Sequence, residues 1–182
     1  LQQHHSSINI IENKPHEIIS FGDISKEFYE VENGKNTLSH LGQYGVLTLS
    51  GEESADFLHK QLTNDVLHIT DGVARHAAWC TAKGRMLASM ILYKQNDLLK
   101  IVLSRDVAEQ TAKRLQMYIL RAKAKATDSS QSVEIFGVAG ESAEGMLQQA
   151  GLPIPLAHSS EPTTATQDEV TIIRLNDSAG RF

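Results

Sequence analysis

Apolar positions change their spacing along the chain, and the changes separate strands from helices. In "KNTLSHLGQYGVLTLSG", Val46, Leu47 and Leu49 form a short apolar run between glycines, which predicts a strand ending near Ser50. The next stretch, "EESADFLHKQL", puts Ala55, Leu58 and Leu62 on one helical face. Ser50 or Gly51 can cap that helix, and Glu52 and Glu53 suit its positive end. After the turn-rich "TNDVLHITDG", two long β segments are predicted at roughly 73–80 and 86–94. They are joined by the basic tip Lys83-Gly84-Arg85. The turn "KQND" leads into the strand "LLKIVLS", and the three strands read as an antiparallel meander.

Helical spacing returns in "SRDVAEQTAKRLQMYIL", where Ala108, Ala112, Leu115 and Ile119 make an apolar stripe behind a cap at Ser104 or Asp106. "AKAKATD" and "SVEIFGVAG" predict strands, and "ESAEGMLQQAG" a short helix stopped by Gly151. "LPIPLAHSSEPTTATQDE" carries three of the four prolines and reads as a loop. "VTIIRL" then reads as a strand and "NDSAG" as a turn. That last strand lacks a downstream return partner, which would leave its edge unpaired, so the natural protein is expected to continue past Phe182. Residues 1–16 are weakly patterned and read as a flexible lead-in; residues 17–182 read as the N-terminal part of one larger domain. No helix regularly links parallel strands. The expected class is α+β, with mostly antiparallel sheets and packed helices.

Composition narrows the function classes. With 182 residues and 41% hydrophobic content, the chain can bury a core. The net charge of -5 and the 5% aromatic content argue against direct nucleic-acid binding. No apolar run is long enough to cross a membrane as a helix. A single cysteine, Cys80, excludes an internal disulfide and points to a reducing compartment, read here as the cytoplasm.

Candidate chemistry is sparse. There is no P-loop and no Gly-x-Ser-x-Gly turn, and the eight histidines show no metal-ligand spacing. His4 and His5 read as a tail feature. Thr63, Asn64 and Asp65 follow a helix: either they make a self-bonded polar turn, or Asn64 and Asp65 line a polar pocket. Cys80 is either a buried inert thiol or one activated by Lys83 and Arg85. Lys113, Arg114, Arg121, Lys123 and Lys125 crowd "KRLQMYILRAKAK", as a solvated face or as the rim of an anion site.

Three segments in this order, "GVLTLSGEESADFLHKQLTNDV", "CTAKGRMLASMILY" and "LQMYILRAKAKATD", resemble the YgfZ family of folate-binding proteins. These are relatives of the aminomethyltransferase (T-protein) of the glycine-cleavage system. The resemblance runs from about residue 40 to 140. It implies α+β subdomains around a cavity that binds tetrahydrofolate or a derivative, with the tip "AKGRML" at that cavity. It also implies accessory work in iron–sulfur cluster assembly or repair and tRNA modification, with iron–sulfur proteins as partners. Under it Asn64, Asp65, Lys83 and Arg85 hold the folate, with Arg121 at the rim; bidentate Arg suits glutamate carboxylates. No catalytic residue and no metal are expected. The transferase relatives carry paired aspartates where Ala88 and Ser89 stand, and Ala88 and Ser89 cannot take a proton as a carboxylate does. The Gly-Tyr-Thr-Gly-Glu signature of those enzymes and the Lys-Gly-Cys-Tyr-x-Gly-Gln motif of YgfZ are both absent. The alternatives are a folate-dependent aminomethyltransferase using Asp65, and an interaction domain that has kept the fold and lost the ligand.

Overall fold

The structure is a computed structural model, and it describes residues 9–11, 14–20, 22–157 and 160–176. Strands β1 (Asn9–Ile11) and β2 (Lys14–Ser20) form an antiparallel ribbon. Helix α1 (Ile24–Glu32) follows. The Asp23 carboxylate caps it, accepting from the amides of Ser25 and Lys26. Then come β3 (Thr37–His40), β4 (Tyr44–Ser50), α2 (Ser54–His59), β5 (Ala74–Cys80), β6 (Met86–Gln95) and β7 (Leu98–Ser104). After these follow α3 (Arg105–Tyr118), β8 (Lys125–Asp128), a 3-10 turn at Ser130–Ser132, β9 (Phe136–Ala139), α4 (Ala143–Gln149), β10 (Thr163–Gln167) and β11 (Val170–Arg174).

The central sheet has the order β5-β6-β7-β4-β8, and every neighbouring pair is antiparallel. The expected meander is its first three strands, and the α+β class holds. Alternation along these strands builds the core. Leu47 on β4 faces Ile101 on β7, which faces Leu92 on β6, and all three are 0% exposed. Helix α3 covers this face with Ala108, Ala112 and Leu115, and α2 adds Phe57 and Leu58. The C-terminal turn of α3 reaches both edge strands. The Tyr118 ring meets Trp79 of β5 edge to face at 6.3 Å, and the Gln116 carboxamide oxygen accepts from the Ala126 amide of β8. Small sheets flank this layer. β3 pairs with β9, and β10–β11 joins the start of β5 through a bridge between Val73 and Thr163.

Several elements differ from the sequence-based expectation. The helix predicted over 52–62 ends at His59, because Leu62 pairs with Trp79 and the Thr63 amide donates to the Ala78 carbonyl at 3.0 Å. Tertiary pairing there overrides helical periodicity. The predicted loop 152–169 contains β10, whose threonines suit a strand. β10 is also the return partner that β11 seemed to lack, and it lies upstream. Strands β1 and β2 fall in and beside the stretch read as an unpatterned lead-in, and α1 was not anticipated. His4, His5 and residues 177–180 of the predicted last turn lie outside the described residues. Among the described residues no helix is long and apolar enough to cross a membrane.

Gly51, between β4 and α2, sits at φ +109, and a Cβ there would lie 2.1 Å from the Lys123 carbonyl oxygen. Gly51→Ala is therefore expected to cost about 2–4 kcal/mol, combining backbone strain with a backbone clash. The thermal midpoint should fall by roughly 5–15 °C, measured by circular dichroism melting.

Candidate ligand-binding site

Register decides where the sheet opens. The first β6 residue paired with β7 is Met90, opposite Leu103. Residues Met86 to Ser89 run on past that point, paired only with β5. At the same level Ser104 leaves the sheet as the N-cap of α3, without a side-chain capping bond. The space that a longer β7 would fill is an open hollow of about 240 Å³, lined by Met86, Leu87, Ala88, Ser89, Ser104 and Val107. None of these side chains is acidic. Pockets that hold a whole drug-sized ligand run from roughly 300 to 1,000 Å³, so this hollow suits part of one.

The β5–β6 tip adjoins the hollow. Its backbone is closed on Thr81: the Gly84 amide donates to the Thr81 carbonyl at 2.8 Å, and the Thr81 amide donates to the Arg85 carbonyl at 2.8 Å. Gly84 supplies the left-handed conformation at φ +75. Lys83 and Arg85 are exposed on this tip and have no ion-pair partner among the described residues. Arg121, also exposed, follows Tyr118 by three residues. Tyr118 packs on Trp79, and two residues beyond Arg121 the Lys123 carbonyl accepts from the Glu53 amide beside Gly51, past the Ser50 end of β4. The basic run on either side of it divides. Lys113 pairs with Glu109, and Lys123 is held by Glu52 and Glu53. Cys80 is half-buried and reduced.

Asn64 and Asp65 lie elsewhere, along the outer edge of β5. The Asn64 side-chain amide donates to the His76 carbonyl at 2.8 Å, and its oxygen accepts from the Asp65 amide. The Asp65 carboxylate is the centre of a charged cluster. It meets His68 Nδ1 at 2.6 Å, His59 Nδ1 at 3.3 Å and Arg75 Nη1 at 3.3 Å, and accepts from the Leu67 amide at 3.0 Å. The His68 hydrogen bond, ahead of the other contacts, holds its pKa at about 2. Arg75 stands five strand residues before Cys80, about 16 Å at 3.3 Å per residue. The structure therefore sets Lys83 and Arg85 on the tip next to Met86 of the hollow's wall, puts Arg121 on the segment that packs by Gly51, and ties Asn64 to His76 and Asp65 to Arg75.

Sequence reasoning passed over two arginines that hold this frame. Arg105 donates from Nε to the Gly42 carbonyl at 2.7 Å and the Tyr44 carbonyl at 3.1 Å, and from Nη1 to the Ser130 carbonyl at 3.3 Å. A cation at the first position of a helix opposes the macrodipole, and that was the available signal. Arg75 sits opposite the buried Leu92, so its register position is inward. A charge there implies a partner, and Asp65 and Glu161 supply it.

The model of the GCVT N-terminal domain matches residues 19–175. The chain belongs to this family. The tRNA-modifying protein YgfZ of Escherichia coli O157:H7 (strain EC4115 / EHEC) is 29% identical over 146 residues, covering 80% of this chain and 44% of the relative. Its counterpart in Sodalis glossinidius (strain morsitans) is 29% identical over 146 residues, with 80% and 43% covered. The chain thus spans less than half the length of these relatives. The crystal structure of glycine cleavage system aminomethyltransferase T from Bartonella henselae superposes with a TM-score of 0.59 at 16% identity, over 70% of this chain and 35% of that one. At that identity the likeness is one of fold. The resemblance carried by the three sequence segments is thus a family relationship, and it extends beyond them on both sides.

The Asp65 cluster gives a pH signature. The folded carboxyl is depressed from 3.8 to about 2, so its stabilising effect is complete above 3.8 and is lost as the pH falls through about 2. Urea unfolding between pH 6 and pH 2 should show Asp65→Asn less stable than the parent at pH 6, with the gap closing towards pH 2. A gap independent of pH would contradict the assignment.

Proposed function

We propose that this chain is the tetrahydrofolate-binding part of an accessory protein that supports iron–sulfur cluster assembly or repair and, through it, tRNA-modifying enzymes. One observation carries the reading: unpartnered cations stand beside an open hollow that has no acidic wall. A folate is a flat heterocycle joined to an anionic glutamate tail. Leu87 and Val107 offer apolar contact for part of the ring system, and the hydroxyls of Ser89 and Ser104 can bond its polar edge. Arg85 and Lys83 meet the carboxylates, Arg85 in bidentate fashion, and Arg121 adds charge at the rim. Asn64 and Asp65 act at a distance, by holding β5 in place. Family membership and the name of the YgfZ relatives support the accessory role and its link to tRNA modification.

Aminomethyl transfer is less well supported. A general base works best with a pKa near the operating pH. Asp65, the carboxylate that this reading would use, is already engaged by His68, His59 and Arg75 and titrates near 2.

Calorimetric titration of the purified protein with 5-formyltetrahydrofolate should show saturable binding that weakens as salt is raised. The double variant Lys83→Glu/Arg85→Glu should bind roughly 10-fold more weakly or worse. Absence of heat and of any thermal shift would leave the interaction-domain reading. For the accessory role, cells deprived of the protein should lose activity of iron–sulfur enzymes, and the double variant should fail to restore it.

A further inference from the structure

We infer that Thr81 is a positioning residue for the basic tip, acting through its hydroxyl to fix where Lys83 and Arg85 stand beside the hollow. This rests on the folate-binding reading above. The tip is a three-residue loop, Ala82 to Gly84, and two of its closing bonds run from backbone to backbone at Thr81. Any residue at position 81 could make those. The third does not: the Arg85 amide donates to Thr81 Oγ1 at 3.1 Å. Arg85 is the cation adjoining Met86, the first residue of the hollow's wall. The side-chain bond therefore anchors the backbone of the residue whose guanidinium meets the ligand.

The energetic logic is one of preorganisation. Without the hydroxyl, the Arg85 amide turns to water on an exposed tip, at little cost to the fold. The loop then samples more conformations around Gly84, and ligand binding has to supply the ordering that Thr81 otherwise provides in advance. The threonine hydroxyl thus affects affinity more than stability.

Three proteins test this by titration with 5-formyltetrahydrofolate well below their thermal midpoints: the wild type, Thr81→Ser and Thr81→Val. The expected result is a loss of about 3- to 10-fold in affinity for Thr81→Val, the size of one net hydrogen bond, with Thr81→Ser near the wild type. A merely structural role would lower the thermal midpoint and leave affinity unchanged. Binding by the wild type with unaltered affinity in Thr81→Val overturns this inference alone. No binding by the wild type overturns the functional reading and this inference with it. Amide hydrogen exchange on the ligand-free wild type gives an independent check that does not need the valine variant to fold. Arg85 should exchange more slowly than the same amide in an unstructured peptide, and equal rates would overturn the assignment.

Discussion

Met90 faces Leu103, and one residue later β7 gives way to α3. That register governs the rest of the molecule. It is held by the column in which Leu47, Ile101 and Leu92 stand side by side at zero exposure. Shifting β6 by one residue would turn Ala88, Met90 and Leu92 outward together and bring Ser89 and Ile91 into the core, a change that burial forbids. With the register locked, β6 outruns β7, the hollow opens beside its first four residues, and the tip is carried beyond the sheet. The site is a consequence of strand lengths, and the core pays for it nowhere.

Charge is distributed to the same effect. The chain carries a net charge of -5, and several cations have an acid within reach. Lys60, Lys94, Lys113 and Lys123 all do. Exposed pairs of this kind contribute little to stability, but they take those side chains out of consideration for a ligand. Lys83, Arg85 and Arg121 have no such partner among the described residues. The field of Lys83 and Arg85 is not cancelled locally, and it lies beside a hollow whose wall is free of acids.

The sheet was legible in the sequence because its strands alternate strongly and the turns between them use Gly, Asn and Asp. Both long strands of the β5–β6 hairpin were placed to within a residue or two, and Lys83 and Arg85 stood out as a basic tip because they interrupt two apolar runs. The pairing of Leu62 with Trp79 was not legible, since nothing local says that a helix must yield to a strand seventeen residues away. β10 was hidden by neighbouring prolines, although Thr163, Thr164 and Thr166 carried its signal. The separation of Asp65 from the tip was hidden for a different reason. The family resemblance put Asp65 in one pocket with the tip, whereas the edge pairing of residues 62–64 with β5 runs antiparallel and carries Asp65 away from the tip.

That antiparallel course bears on chemistry as well as on placement. Binding an anionic cofactor asks only for complementary charge and a fitting surface, and the tip end offers both. Transforming one asks for a group that can exchange a proton near neutral pH at the reacting atom. The candidate carboxylate, Asp65, is paired with Arg75, which stands about 16 Å before Cys80 along β5 at the strand's usual rise. Its carboxylate is held ionised by His68. Ala88 and Ser89, which do line the hollow, cannot fill that role. The acid and the cations of this chain are thus divided between two places on one strand pair. The acid strengthens the frame, and the cations remain open to a ligand.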